Sequence, residues 1–226
     1  MVHHDKRPDA LRASGRSLLV GTLVAIVVSL PLVSTHAQAQ VDPLVLSCQT
    51  IPGKTTPAEL RARYGASNVV DAPVALPEGY SEPGSVLYPA DPKRRIEIHW
   101  ADKARTRLAA FVAYGSKSAW RTPEGLTLGM PILDVQEING RSFLLGFFEQ
   151  DGGGYVNDWA GGKLAKSSQG SCSLVVRLYP PDNLSFTTAE SRLVEGILSS
   201  ANVASDDRRI KPYKAAVIKV GLQWRD

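Results

Sequence analysis

Between Gly146 and Leu164 the chain reads GFFEQDGGGYVNDWAGGKL, and no other stretch gathers as many groups able to do chemistry. Glu149, Asp151 and Asp158 bring three carboxylates, Tyr155 and Trp159 bring aromatic rings, and Lys163 brings a cation, all among glycines. Such a set could cradle a phosphate, hold a hard cation, or grip a sugar between acids and an aromatic face. A phosphate loop needs Gly-x-x-x-x-Gly-Lys followed by Ser or Thr, whereas Asn157 stands at the first glycine and Leu164 follows Lys163. A dinucleotide fingerprint started at Gly152 also meets Asn157 where glycine is required, and no helical pattern follows. Glu149, Asp151, Asn157 and Asp158 are oxygen donors of the kind calcium takes, but their spacing fits neither an EF-hand loop nor repeated glycine-aspartate turns. The reading that remains is a hairpin: Asp151-Gly152 is a favoured turn pair, Gly153 and Gly154 supply positive φ, and the flanks are strand-like. Asp151, Tyr155, Asp158 and Trp159 are then the residues it would present to a partner, with Trp159 half-exposed beside Gly161-Gly162.

Elsewhere the chemistry is sparser. His99 is the one histidine beyond residue 39 and shares a strand phase with Glu97, two positions away, which permits a His-carboxylate pair. No Gly-x-Ser-x-Gly elbow accompanies it, and zinc would ask for three or four His or Cys ligands that are not there. A carboxylate-only hydrolase stays open, with Glu97, Glu149, Asp151 and Asp158 as its acids and His99 as a helper. Trp100 and Trp224 fall on the apolar phase of their strands and are expected in the core. No catalytic residue, metal site or cofactor is assigned.

The first 39 residues have the three parts of a secretory signal. Lys6, Arg7, Arg12 and Arg16 precede an apolar run from Leu18 to Val33, and Ala37-Gln38-Ala39 supplies the small-x-small cleavage pattern. The alternative is an uncleaved anchor, but spanning takes roughly 17 to 25 residues and Pro31 interrupts the run. Four basic and two acidic residues leave with the signal, so the net charge of +4 falls to +2. That interspersed, near-neutral balance gives no reason to expect nucleic acid as a partner, and no stable membrane insertion is expected once the signal is gone. Cys48 and Cys172 are the two cysteines, and export to an oxidising compartment favours a disulfide between them. Free thiols are one alternative. Lipidation of Cys48 in Val45-Leu46-Ser47-Cys48 is another, against which Asp42 and Pro43 separate it from the apolar run.

The positioning elements follow from periodicity. Thr56-Pro57-Ala58-Glu59 is a capping box opening a helix over 57–64 that Gly65 closes. A second helix begins near Pro131, with Ile132, Val135 and Ile138 as its stripe and Asn139-Gly140 as its end. A third follows Thr187, with Glu190 completing its box and Leu193 and Ile197 as its buried face. Between them the period drops to two. Ile96, Ile98 and Trp100 oppose Glu97 and His99, and 107–114 is apolar on both faces. Segments 142–148, 155–159 and 172–179 read as strands, and Ile218, Val220, Leu222 and Trp224 oppose Lys219 and Gln223. Residues 71–93, rich in Pro and Gly, read as loops around one short strand. The chain is predicted to be a single α+β domain over 40–226, antiparallel sheet with short helices on one face. Alignment of the first two helices by their bracketing glycines suggests two helix-plus-meander repeats, 51–115 and 123–226.

That glycine-helix-glycine-meander pattern resembles the repeats of beta-lactamase inhibitor protein and of small outer-membrane assembly lipoproteins, which implies a sheet surface offered to another protein. A broader set is similar to a family of exported, uncharacterised bacterial proteins. It comprises Tyr64-Gly65, Ile96 to Trp100, Trp120-Arg121-Thr122, Gly125 to Gly129, Ile138-Asn139-Gly140 with Phe143, Gly146-Phe147, Asp151 with Gly153-Gly154, and Trp159 with Gly161 to Leu164. Glu149-Gln150 departs from that pattern, where an aromatic would stand beside the aspartate. The expectation is a non-enzymatic periplasmic or secreted protein that binds another envelope protein or a cell-wall component, with a carboxylate-based hydrolase as the alternative. Mass spectrometry of the exported protein should give a chain starting at Gln40; a lipid-modified start at Cys48 would assign that cysteine to an anchor instead.

Overall fold

The computed structural model describes residues 44–225 apart from 50, 147, 149–152, 169, 170 and 199, together with the backbone alone at 167 and 168. The expected signal, Glu149 and Asp151 lie outside the described residues. No helix among the described residues is long and apolar enough to cross a membrane.

The helices form where their caps dictate. Helix α1 (Pro57–Tyr64) starts on a complete capping box, with the Glu59 N–H donating to Thr56 Oγ1 at 3.2 Å and the Thr56 N–H donating to the Glu59 carboxylate at 2.7 Å. Helix α2 (Ile132–Asn139) ends on Gly140, whose φ of 77° lets its N–H return to Gln136 and Glu137. Helix α3 (Thr188–Leu198) repeats the box with Thr187 and Glu190. Its buried face is Val194 and Ile197; Leu193, expected there, is 38% exposed because it lies at the stripe's edge, beyond Ile197 and about 100° from Val194.

Among the described residues nine strands make two antiparallel sheets. Strands β1 (Val69–Ala75), β2 (Ser81–Leu87), β3 (Ile96–Trp100), β4 (Leu108–Tyr114), β7 (Cys172–Tyr179) and β9 (Ala216–Trp224) form a six-stranded sheet in the order β1-β2-β3-β4-β9-β7. Strands β5 (Leu144–Leu145), β6 (Val156–Asp158) and β8 (Val203–Ala204) form a small sheet with β5 central. The α+β class is therefore as read from the sequence. The halves are not built alike, since β1 to β4 form one meander while the strands after α2 divide between two sheets. The Pro- and Gly-rich stretch from residue 71 forms most of two seven-residue strands rather than loops around one. Pro73 and Pro83 stand opposite each other, so the two missing donors fall on a single rung, near the edge of the sheet and outside the part of β2 that pairs with β3.

Register divides the large sheet into two faces. Ile96, Ile98, Phe111, Val220, Leu222, Leu174 and Val176 share the inner face and join Leu60, Ile132, Val135, Val194 and Ile197 of the helices in one continuous core. Trp120 is fully buried there, edge-on to Phe111 at 5.8 Å, with its indole N–H donating to the Arg94 carbonyl. Trp100 and Trp224 pack against the same core from its margin. A bulge between Arg177 and Leu178 leaves Ile218 without a rung, so Val217 takes the inner position and Ile218, expected inside, is 38% exposed. Cys48 and Cys172 form a disulfide across 124 residues, a closure for which chain entropy gives at most about 5 kcal/mol. It fastens the segment carrying the fully buried Leu46 to β7.

The expected hairpin exists: β5 and β6 pair antiparallel, and the Gly146 N–H donates to the Tyr155 carbonyl. The hairpin also leans on β7, through a bridge from Tyr155 to Arg177 and a bond from the Leu178 N–H to the Gly154 carbonyl at 2.9 Å. Gly154 has φ 80°, and a Cβ there would overlap the Leu178 carbonyl. Gly154→Ala should therefore cost about 3 kcal/mol or more in urea unfolding, whereas Gly79→Ala, at φ 76° with no atom near, should cost only about 1 kcal/mol. Equal losses would show that positive φ alone, and not the close approach to β7, fixes Gly154.

Candidate functional site

The outer face of the large sheet carries the second phase of each strand. Glu97 and His99 of β3, Ala110, Val112 and Tyr114 of β4, Lys219, Gly221 and Gln223 of β9, and Val175 and Arg177 of β7 share it by register. On a sheet with one face in water these positions would be polar and open. Here Val112 is 2% exposed, His99 7% and Glu97 8%, so something covers them.

The cover is the tip of the β1–β2 hairpin. Glu97 accepts a hydrogen bond from the Ala75 N–H through Oε2 at 3.1 Å, while its Oε1 takes the Arg95 guanidinium at 2.7 Å. This carboxylate ties the end of β1 over the face of β3. Gly84 permits the bend, because a Cβ there would come within 2.7 Å of the Ile98 carbonyl and of the Val74 side chain. Val74 is consequently buried on a face that would otherwise be open. From the other side Tyr155, at the foot of the β5–β6 hairpin, leans in over β7 and β9.

A groove results, with sheet as floor and the two hairpins as walls. One chamber of about 340 Å³ lies over Ala110, Val112 and Val175, bounded by Ala75 to Pro77, Glu82 and His99. A second of about 220 Å³ lies against Tyr114, Arg177 and Ile218. Ala75, Leu76, Pro77, Tyr155 and Lys219 line both. The combined space is that of a small-molecule site, largely apolar with a few polar groups at its ends.

The ends differ in charge. At one, Lys219 Nζ donates to the Tyr155 hydroxyl at 2.9 Å and lies 5.3 Å and 5.2 Å from the ring centres of Tyr114 and Tyr155. Arg177 donates through Nε to the Gly153 carbonyl at 2.7 Å and stacks near Tyr155 and Tyr179. Among the described residues no carboxylate lies within ion-pair reach of either cation. Burial is the largest influence on Lys219 and works to lower its pKa, but the Tyr114 and Tyr155 hydroxyls outweigh it and the net displacement is upward. Burial likewise raises Tyr114, against the pull of Lys219. At the other end, His99 Nδ1 and Glu82 Oε1 are 2.7 Å apart.

The residues singled out in the sequence are thus divided. Tyr155 and His99 line the groove. His99 pairs with Glu82 across the neighbouring strand, not with Glu97, whose oxygens are engaged by Arg95 and the Ala75 N–H. Asp158 is exposed and caps the turn at Ala160 with a 2.7 Å bond, away from the groove lining. Trp159 is 6% exposed rather than half-exposed. It packs on Phe143 at 5.2 Å, and its carbonyl accepts from the amide of the buried Asn139, which also donates to Arg141 O and accepts from the Leu164 N–H. Among the described residues no group of three His, Cys, Asp or Glu could hold a metal ion. Glu82, Tyr114, Arg177 and Lys219 were not singled out, though the alternation of β7 and β9 already places Arg177 and Lys219 opposite the apolar phase.

No protein-family model, no curated protein and no solved structure matches the chain.

The raised pKa of Lys219 means that its contribution is present below the ordinary lysine value and is lost as pH rises through the higher folded value. Tyr114, also raised, resists ionising where the unfolded chain already has, which slopes the same way. Stability should fall above about pH 10, and more steeply in the native chain than in Lys219→Met, when urea midpoints are compared at about pH 8 and about pH 11. Parallel slopes would detach Lys219 from the phenols.

Proposed function

We propose that the protein is a non-catalytic binding module of the bacterial envelope, and that it captures an envelope component in the groove on the outer face of its six-stranded sheet. The observation that carries this reading is the groove itself: two hairpins fold over a sheet face to enclose an apolar floor with a cation at one end and an acid-imidazole pair at the other. The basic, apolar and small-residue pattern of residues 1–39 supports export, and the disulfide suits an oxidising compartment such as the periplasm. The likeness to exported bacterial proteins points the same way. Relative to the expectation from sequence, the binding surface moves from the glycine hairpin to the groove beside it, and Tyr155 belongs to both.

One observation favours hydrolysis as a second reading, the 2.7 Å contact between Glu82 and His99 inside the larger chamber. That chamber's lining contains no Ser, Thr or Cys to serve as a nucleophile, and Glu97 is already engaged. Native mass spectrometry of protein isolated gently from cells that export it should reveal a bound small molecule, absent from Ala110→Trp, whose indole would occupy the floor. Bare wild-type protein that cleaves an envelope polymer, with the cleavage lost in Glu82→Gln, would replace binding by hydrolysis.

A further inference from the structure

We propose that the groove takes a small amphipathic acid, an apolar chain ending in one carboxylate, with the carboxylate seated on Lys219 and Arg177 and the chain lying over Val112 and Val175 towards His99. This rests on the reading of the groove as the binding site. The head group follows from charge. Lys219 sits in a central strand, with two phenols and no carboxylate beside it among the described residues. The phenols beside this half-buried ammonium supply dipoles and ring faces but no counter-ion, and an entering carboxylate would supply one through charge-assisted hydrogen bonds. Arg177 faces the same chamber and adds a second donor set.

The body follows from the floor. Strands β4 and β9 are paired on both sides, so their backbone N–H and C=O groups are used in the ladder. A peptide or sugar laid on this floor would find the Gln223 amide but leave most of its own polar groups without partners, at a cost that an alkyl chain does not incur. Length follows from the strand: Ala110 and Tyr114 are four residues apart on β4, about 13 Å from the His99 end to the Lys219 end. Glu82 at the far end sets the number of charges, since a second carboxylate on the ligand would meet it.

Calorimetry on the delipidated full chain, with probes below their micelle concentrations, tests each element. Dodecanoate is expected to saturate a single site, and dodecanol and dodecanedioate to bind about tenfold or more weakly. Lys219→Met should lose about tenfold for dodecanoate and little for dodecanol. Should that variant not fold, Arg177→Leu serves with the same expected direction. Absence of dodecanoate binding, equal affinity for acid and alcohol, an undiminished Lys219→Met, or a tenfold preference for dodecyl phosphate would each overturn the proposal. A neutral small molecule in the native mass spectrum would refute the acid while leaving the groove as a binding site.

Discussion

A single carboxylate gives this sheet its shape. Glu97 stands on the outer face of a central strand, where an acid would ordinarily reach for water, yet it is nearly buried between the Arg95 guanidinium and the Ala75 N–H. Buried charge is tolerated only when paired and hydrogen-bonded; Arg95, two residues away, supplies the pairing, and the Ala75 N–H supplies a hydrogen bond that forms only if the β1–β2 hairpin bends over the sheet. The bond from Ala75 therefore fixes the hairpin as well as satisfying the acid. With the hairpin in place Val74 and Val112 lose their solvent, Ala75 to Pro77 become a wall, and a surface becomes a groove.

The remaining wall comes from the glycine-rich segment whose composition looked most like chemistry. Two of its glycines serve packing: Gly154 lets the hairpin lie against the Leu178 carbonyl, and a Cβ on Gly162 would overlap the Asn139 side chain. Asn139 in turn makes three hydrogen bonds below the surface, including one to the carbonyl of Trp159, and so draws that indole into the core. Tyr155 leaves this framework, because the bridge to Arg177 turns it over β7.

Legibility in the sequence followed how local each determinant is. Capping boxes, the Asn139-Gly140 stop and the alternation of β3 and β7 act within a few residues, and they predicted the helices and most of the strands. The β1–β2 pair was hidden by its prolines and glycine, because two prolines are harmless on one shared rung but forbidding when each strand is read alone. Ile218 was misplaced by a bulge, which a strict period of two cannot contain. His99 was legible as a candidate but its partner was not. Glu97 is two residues away in sequence, whereas Glu82 is seventeen away and reaches the ring through the pairing of β2 with β3 and the bend of the β1–β2 hairpin.

Glu97 and Lys219 make an instructive contrast. Both are ionic groups on the outer face of central strands, where β-branched or small residues would build the sheet at less cost. The burial of Glu97 is offset within the fold, since its removal would free a hairpin. Lys219 holds nothing comparable: its hydrogen bond to Tyr155 goes to a phenol that the bridge to Arg177 already positions. A methionine of similar length would fill the same space, losing the contacts of the ammonium with the two phenols but freeing no element of the fold. A part-buried charge that holds no element in place is where a requirement other than folding shows, and this one faces a cavity floored by Ala110, Val112 and Val175 with Gln223 beside them.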